Sequence, residues 1–229
     1  MNILGIKIDN LTKEQVLNNV GRFMLDDEQH YIVTPNPEFI VKAQKDIDFK
    51  QILNQADLAI ADGIGLIFAS WFSGGDLKHK ITGIDLMEDI CKQAEQKNWL
   101  VSLFGGELGV AEKTVDNLKR RYANLKVGVF QDNIKIQPAI LFVALGAPKQ
   151  EKWIVENLPK MPQVKLAIGV GGAFDFISGR IKRAPKILRI LGLEWAWRLI
   201  LQPKRFGRIF NAVIVFPLLV IKERLYDFK

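Results

Sequence analysis

Short apolar runs separated by amphipathic stretches recur along the chain. Residues 3–8 alternate apolar and polar as a strand does. Thr12-x-x-Gln15 is a capping box, and Val16, Leu17, Val20, Phe23 and Met24 follow at helical spacing. Residues 31–34 predict a second strand. Asn36 and Pro37 then read as the N-cap and first residue of a helix that turns Phe39, Ile40 and Ala43 inward. Asp48 is expected to cap the next helix, which runs through Ile52, Leu53 and Ala56. Residues 58–61 are a continuous apolar strand that stops at Asp62-Gly63, and a helix begins at Leu66. Residues 83–98 predict a helix with Leu86, Met87, Ile90, Cys91 and Ala94 on one face. Residues 100–104 form a strand that ends in Gly105-Gly106-Glu107-Leu108-Gly109. A helix follows with Leu108, Ala111, Val115, Leu118 and Tyr122 facing in. Three more strands are expected at residues 127–130, 140–145 and 167–170.

Strands alternate with helices, and the strands lack a polar face. That pattern specifies an α/β fold with a mainly parallel sheet covered by helices on both faces. One link does not fit it. Residues 131–138 are too few for a parallel crossover, so either strand 127–130 pairs unusually or residues are absent there. From Arg183 the character changes. Residues 1–182 read as the α/β core, and residues 183–229 as a basic, aromatic helical appendage.

The 229 residues suffice for one sizeable core, and 48% hydrophobic with 25% charged residues is ordinary for a globular chain. The net charge of +7 is concentrated. Residues 178–229 carry twelve Lys and Arg against three acids. Such a block points to phosphates, nucleic acid or an anionic membrane surface. No RNA-recognition or helix-turn-helix signature accompanies it, so nucleic acid is the weaker partner. The N-terminus lacks a secretion signal, and the longest apolar run, residues 212–221, is too short to span a bilayer and contains Pro217. The expectation is a cytoplasmic protein attached peripherally to the inner face of the membrane. Trp195, Trp197, Phe206, Phe210 and Phe216 would enter the interface, beside Arg189, Arg198, Lys204, Arg205 and Arg208. Homo-oligomer formation stays open. The single cysteine, Cys91, reads as a buried structural thiol.

Candidate chemistry gathers at strand ends, which a parallel sheet brings to one edge. Thr34-Pro-Asn36, Asp62-Gly63, Gly105-Gly106 and Gly146-Ala-Pro-Lys149-Gln150-Glu151 all sit there. Asp62 is either a helix cap or a general base. Two histidines, no G-x-S-x-G and a mid-helix Cys91 argue against a hydrolase triad. No Cys/His cluster has metal-ligand spacing, and Asp46-Ile47-Asp48, the one D-x-D, reads as a solvated turn.

Taken in order, Thr34-Pro-Asn36-Pro-Glu, Ala61-Asp62-Gly63-Ile-Gly65, Thr82-Gly83-x-Asp85, Phe104-Gly105-Gly106, Leu145-Gly146-Ala-Pro-Lys149-Gln150-Glu151, Gly171-Gly172-Ala-Phe174-Asp175, and Arg183-Ala-Pro185 with Gly192-Leu-Glu194-Trp195 resemble the WecG/TagA/CpsF glycosyltransferases across nearly the whole chain. The likeness is strongest to members that begin wall teichoic acid synthesis. The resemblance implies a Rossmann-like fold and no cofactor. It implies inverting, metal-independent transfer of N-acetylmannosamine from UDP-N-acetylmannosamine to the 4-hydroxyl of a lipid-linked acceptor, N-acetylglucosamine on undecaprenyl diphosphate. Asp62 matches the family's proposed base, with Thr34 and Asn36 as positioning groups. Gly63, Lys80, Gly105, Gly106, Gly146, Lys149, Gln150, Glu151, Gly172 and Asp175 fall in motifs that would bind substrate. Without a metal, arginine suits a departing diphosphate. Arg198, Arg205 and Arg208 could supply it, or they form a solvated basic face or meet lipid headgroups. The alternatives are another UDP sugar such as a uronic-acid donor, a nucleic-acid-binding protein using the basic tail, and a non-enzymatic dinucleotide-binding module.

Overall fold

The computed structural model describes residues 1–130 and 139–227. The chain opens with a tight antiparallel hairpin, β1 (Asn2–Ile3) and β2 (Ile6–Lys7). Residues 3–8 are therefore not one strand. Leu4 and Gly5 both take positive φ, 51° and 78°, the two-residue turn that suits the twist of a hairpin. Because the period of two continues in each arm, alternation alone does not reveal the turn.

There follow α1 (Lys13–Phe23), β3 (His30–Val33), α2 (Pro37–Ala43), α3 (Ile47–Gln55), β4 (Leu58–Ala59), α4 (Ile64–Phe72), α5 (Gly83–Lys97), β5 (Val101–Gly105), α6 (Val110–Arg121), β6 (Val127–Val129), β7 (Ile140–Ala144), α7 (Lys149–Asn157), β8 (Leu166–Gly169), α8 (Ala173–Ile177), α9 (Lys186–Ile190), α10 (Glu194–Leu201), α11 (Phe206–Phe210) and α12 (Phe216–Asp227). A single turn of π-helix, Asn211–Val215, joins the last two. The capping box at Thr12 and Gln15 forms as expected, and Asn36 caps α2 with Pro37 in its first position. Asp46, not Asp48, caps α3: its carboxylate accepts from the Phe49 N–H at 3.0 Å and pairs with Lys152 at 2.7 Å. Leu108 is also not a core residue. Gly109, at φ 77°, starts α6 after it, so Val110 enters the core and Leu108 stands in water.

The six strands β4-β3-β8-β7-β5-β6 form one parallel sheet, and the architecture is Rossmann-like. Alternation along the strands sends side chains to both faces. Ile140 and Phe142 join a core with α1, α5, α6 and α8, while Leu141 and Val143 pack on α7. β6 pairs with β5 in ordinary parallel register, Val101 beside Val127, so it is not an unusual strand. The question of a complete connection at residues 131–138 lies outside the described residues.

The C-terminal helices are less separate from the core than their composition suggests. Phe216 is 2% exposed and Val220 is 3% exposed. Both pack in one cluster with Phe39, Ile40, Leu66 and Ala69 of α2 and α4. Phe216 is therefore a core residue and is not available to a membrane. Its period within an all-apolar run carries no mark of which face is buried.

Candidate active site

Parallel strands place their C-terminal ends on one edge, and five turns meet there around a cleft of about 960 Å³. Thr34 follows β3, Asp62 follows β4, Gly106 follows β5, Gly146 follows β7 and Gly172 follows β8, and all five line the cleft. The last helices close the opposite side with Arg198, Arg205 and Arg208. Asn36, Gly63, Lys80, Gln150 and Asp175 complete the sequence-derived residues brought together. Three others are not lining groups. Lys149 is the solvent-exposed first residue of α7, Gly105 is the last residue of β5, and Glu151 is fully buried behind Gln150.

Asp62 is not a helix cap. Gly63 occupies the N-cap of α4 with φ 98° and no side-chain cap bond, which leaves the carboxylate free to face the cleft. Its surroundings favour the proton. Burial is the largest influence, Glu194 adds to it, the Gly83 N–H and Arg198 oppose, and the pKa is pushed up to about 6. Asp85 nearby is tied down by a 2.7 Å hydrogen bond from the Thr82 hydroxyl and an ion pair with Arg183 at 2.7 Å. Burial would raise its pKa, but those two partners outweigh it and lower it.

The fold makes room for Arg198 at Gly172. A Cβ on Gly172 would collide with its guanidinium. The guanidinium lies 4.9 Å from the centre of the Phe176 ring, and its Nε and Nη2 are buried without a hydrogen-bond partner. Burial, then Arg208, pulls its pKa down. Burial together with Arg198 and Arg208 lowers Arg205 to about 10. Arg208 is partly neutralised: its Nε donates to both Glu38 oxygens, at 2.8 and 2.9 Å, and Lys42 also pairs with Glu38 at 2.7 Å. Five carboxylates, Glu38, Asp62, Glu107, Asp175 and Glu194, line the same cleft. Arg198 and Arg205 nevertheless form no ion pair among the described residues, and guanidinium groups left so are suited to an anion.

Other polar groups brace the turns. The Thr34 hydroxyl donates to the Gly169 carbonyl at 3.2 Å, and Asn36 accepts from the Phe39 N–H at 3.1 Å as the α2 cap. Gln150 Oε1 accepts from the N–H groups of Gly146 and Gly171, at 3.1 and 3.0 Å, while its Nε2 donates to Glu151 at 2.7 Å. One amide thus ties the β7 turn to the β8 turn. Burial pushes Glu151 up to about 7 despite the Gln150 hydrogen bond. Asp175 accepts from Arg180 at 3.2 Å.

The sequence pattern missed Glu38, Phe176 and the outward face of α4. Glu38 looks like an ordinary acid in a first helical turn, and only the fold carries Arg208 to it. The D-x-D acids are elsewhere, with Asp46 spent as the α3 cap. Among the described residues, no three His, Cys, Asp or Glu side chains gather to hold a metal.

A model of the glycosyl transferase WecG/TagA/CpsF family matches residues 1–228. Two N-acetylglucosaminyldiphosphoundecaprenol N-acetyl-beta-D-mannosaminyltransferases of Staphylococcus aureus, from strains MRSA252 and NCTC 8325 / PS 47, are each 32% identical over 238 aligned positions. Those alignments cover 98% of this chain and 93% of each relative. With seven motifs in order, each contributing residues to one cleft, and the family match running nearly end to end, the chain belongs to the WecG/TagA/CpsF family of glycosyltransferases.

Proposed function

We propose that the protein transfers N-acetylmannosamine from UDP to the 4-hydroxyl of N-acetylglucosamine on undecaprenyl diphosphate, with inversion. One observation carries this reading: Asp62 and the Arg198–Arg205–Arg208 cluster occupy the same cleft at the C-terminal edge of the sheet. Asp62 accepts the proton of the acceptor hydroxyl. That oxygen attacks C1 of the donor sugar as the C1–O bond to UDP breaks on the opposite face. The electron pair of that bond leaves with the diphosphate. Arg198 meets the charge that develops, using donors already desolvated and held over Phe176. A base with a pKa near 6 is ionised at neutral pH and stronger than an ordinary aspartate. Gln150, by holding the Gly146 and Gly171 turns together, fixes the backbone against which the donor lies.

Among the described residues, no helix is long and apolar enough to cross a membrane. Exposed Trp195, Phe206 and Phe210 beside Lys186 and Lys204 support a peripheral attachment to an anionic leaflet. Arg198, half-buried in the cleft, is better read with the diphosphate than with headgroups.

The test is an assay of UDP release with a lipid-diphosphate N-acetylglucosamine acceptor and a panel of UDP sugars. The expected donor is UDP-N-acetylmannosamine. A preference for a uronic-acid donor would move the protein to another branch of the family, and no release with any sugar would reject the reading.

A further inference from the structure

The cleft does not stop at the charged groups. It continues as an apolar lane between α4 and the α11–α12 arm, and both walls change character in the same direction. α4 begins beside Asp62, with Gly192 packed so close that a Cβ there would come within 2.7 Å of Ile64. It ends at Ser73, whose carbonyl accepts from Arg224 of α12 at 2.8 Å. The facing wall runs from Arg198 through Arg205 and Arg208 to Ala212, Val213, Pro217 and Ile221. The lane is therefore acidic and polar at one end, cationic next, and lined by apolar side chains beyond, up to the Ser73–Arg224 contact that ends it.

The α4 wall is unusual for a surface helix. Phe68 is 59% exposed, Trp71 is 76% exposed and Phe72 is 45% exposed, and all three line the lane. Their spacing of three and four residues puts them on one face. Nothing in the folding of the monomer is gained by holding these rings in water.

We propose that this lane binds the first isoprene units of the acceptor's polyprenyl chain, next to its diphosphate. The inference rests on the acceptor named above. Its warrant is order: the acceptor runs sugar, diphosphate, hydrocarbon, and the single cleft runs base, arginines, apolar walls. A tail seated here threads the acceptor past the arginines and delivers its sugar hydroxyl to Asp62. It also covers Trp71 only when substrate is bound.

The experiment compares two soluble acceptors in the absence of membranes and below micelle formation. One is N-acetylglucosamine diphosphate carrying a geranyl group, the other carries an ethyl group. The reading is the ratio of kcat/KM for the two within each protein. The wild type is expected to favour geranyl by at least about tenfold, which burial of roughly two methylenes alone supplies. The Phe68→Ser/Trp71→Ser double variant, changed only at exposed positions, should bring the ratio to within about twofold of unity. Leu25→Ser, 85% exposed and far from the cleft, should keep the wild-type ratio. A wild-type ratio near one, or a preference that survives the double variant, overturns the proposal. If the variant instead loses vesicle binding or self-association while keeping its preference, the α4 face serves a membrane or a second copy. Calorimetric titration with geranyl diphosphate against ethyl diphosphate reads the lane without turnover. Weaker binding of ethyl alone supports the lane even if transfer fails, whereas equal binding of the two rejects it while active transfer leaves the catalytic reading standing.

Discussion

Two groups of ionisable side chains lie at opposite ends of the same parallel strands, and they are built in opposite ways. At the N-terminal end of β3, His30 is buried with both ring nitrogens partnered. Nδ1 is 2.8 Å from Asp57 and Nε2 is 3.0 Å from Asp26, and the ring stacks on Phe23 at 4.0 Å. At the C-terminal end, Arg198 is half-buried, with two buried nitrogens that lack a partner, and Asp62 faces Glu194 as well as an arginine. The first cluster is complete without a ligand and holds the fold together. The second has donors without a protein partner. Burial of charge means stability in one place and readiness to bind in the other, and the list of partners tells them apart.

The largest test of that contrast is Asp62→Asn, which keeps shape and removes the proton acceptor. Turnover should fall by about 10²–10⁴-fold. Stability should move the other way. The raised pKa means the folded state holds its proton more tightly than the unfolded chain, so stability is full at low pH and lost as pH rises through about 6. The variant should therefore unfold later than wild type at pH 8, by about 1–2 kcal/mol once the partial solvation of the cleft is allowed for, and show no gain near pH 4. Thermal melts at the two pH values check this, and a destabilised variant at pH 8 would contradict it. In the wild type, kcat/KM should decline below about pH 6.

Arg198→Ala should lower kcat by about 10²–10³-fold, the usual effect of removing one positioned donor to a developing anion. Arg208→Ala should cost less, since its guanidinium is already held by Glu38. Equal losses from the two would mean that the unpartnered donors are not the special feature. At the other end of the sheet, His30→Asn should leave kcat alone and weaken the fold. Burial lowers the His30 pKa, but Asp57 and Asp26 more than restore it, so it is raised in the folded state. That contribution is fully present below pH 6.5 and fades as pH climbs through the folded value. The variant should lose about 1–3 kcal/mol at pH 6 and less at pH 9, read by urea unfolding. The smallest expected effect is chelation: on the proposal that arginines take the diphosphate, transfer in excess EDTA should match that in magnesium. Activity that vanishes with EDTA and returns with manganese would break the comparison at its centre.

Much of this was legible in the chain, for a physical reason. Buried parallel strands must be apolar on both faces, so residues 58–61 and 140–145 announce themselves, and the polar residue that ends each run marks the edge where ligands bind. Short-range detail was less secure. Asp46 and Asp48 are equally good caps in sequence, and only the start of α3 decides between them. Leu108 has the spacing of a core residue, but the backbone turn at Gly109 rotates it out. The three arginines could be named from composition and chemistry, whereas Glu38, which tempers one of them, becomes a partner only through a contact spanning 170 positions. The same limit hid the rings of α4. A run such as Leu66-Ile67-Phe68-Ala69 reads as core throughout, and nothing local says that Leu66 is inside while Phe68 is in the open.

The fit of Arg198 over Gly172 has a consequence for how this protein can change over generations. The two positions are not free to vary alone. An alanine at 172 takes the space of the guanidinium, so in the presence of Arg198 it should disable the enzyme, and once position 198 is alanine the same change should do almost nothing. Measured as a double-mutant cycle, the losses from Gly172→Ala and Arg198→Ala should fail to add. A lineage carrying this arginine keeps its guanidinium in the present place only with glycine opposite it. A lineage that drifts at 172 first can regain the arginine only with its tip swung aside.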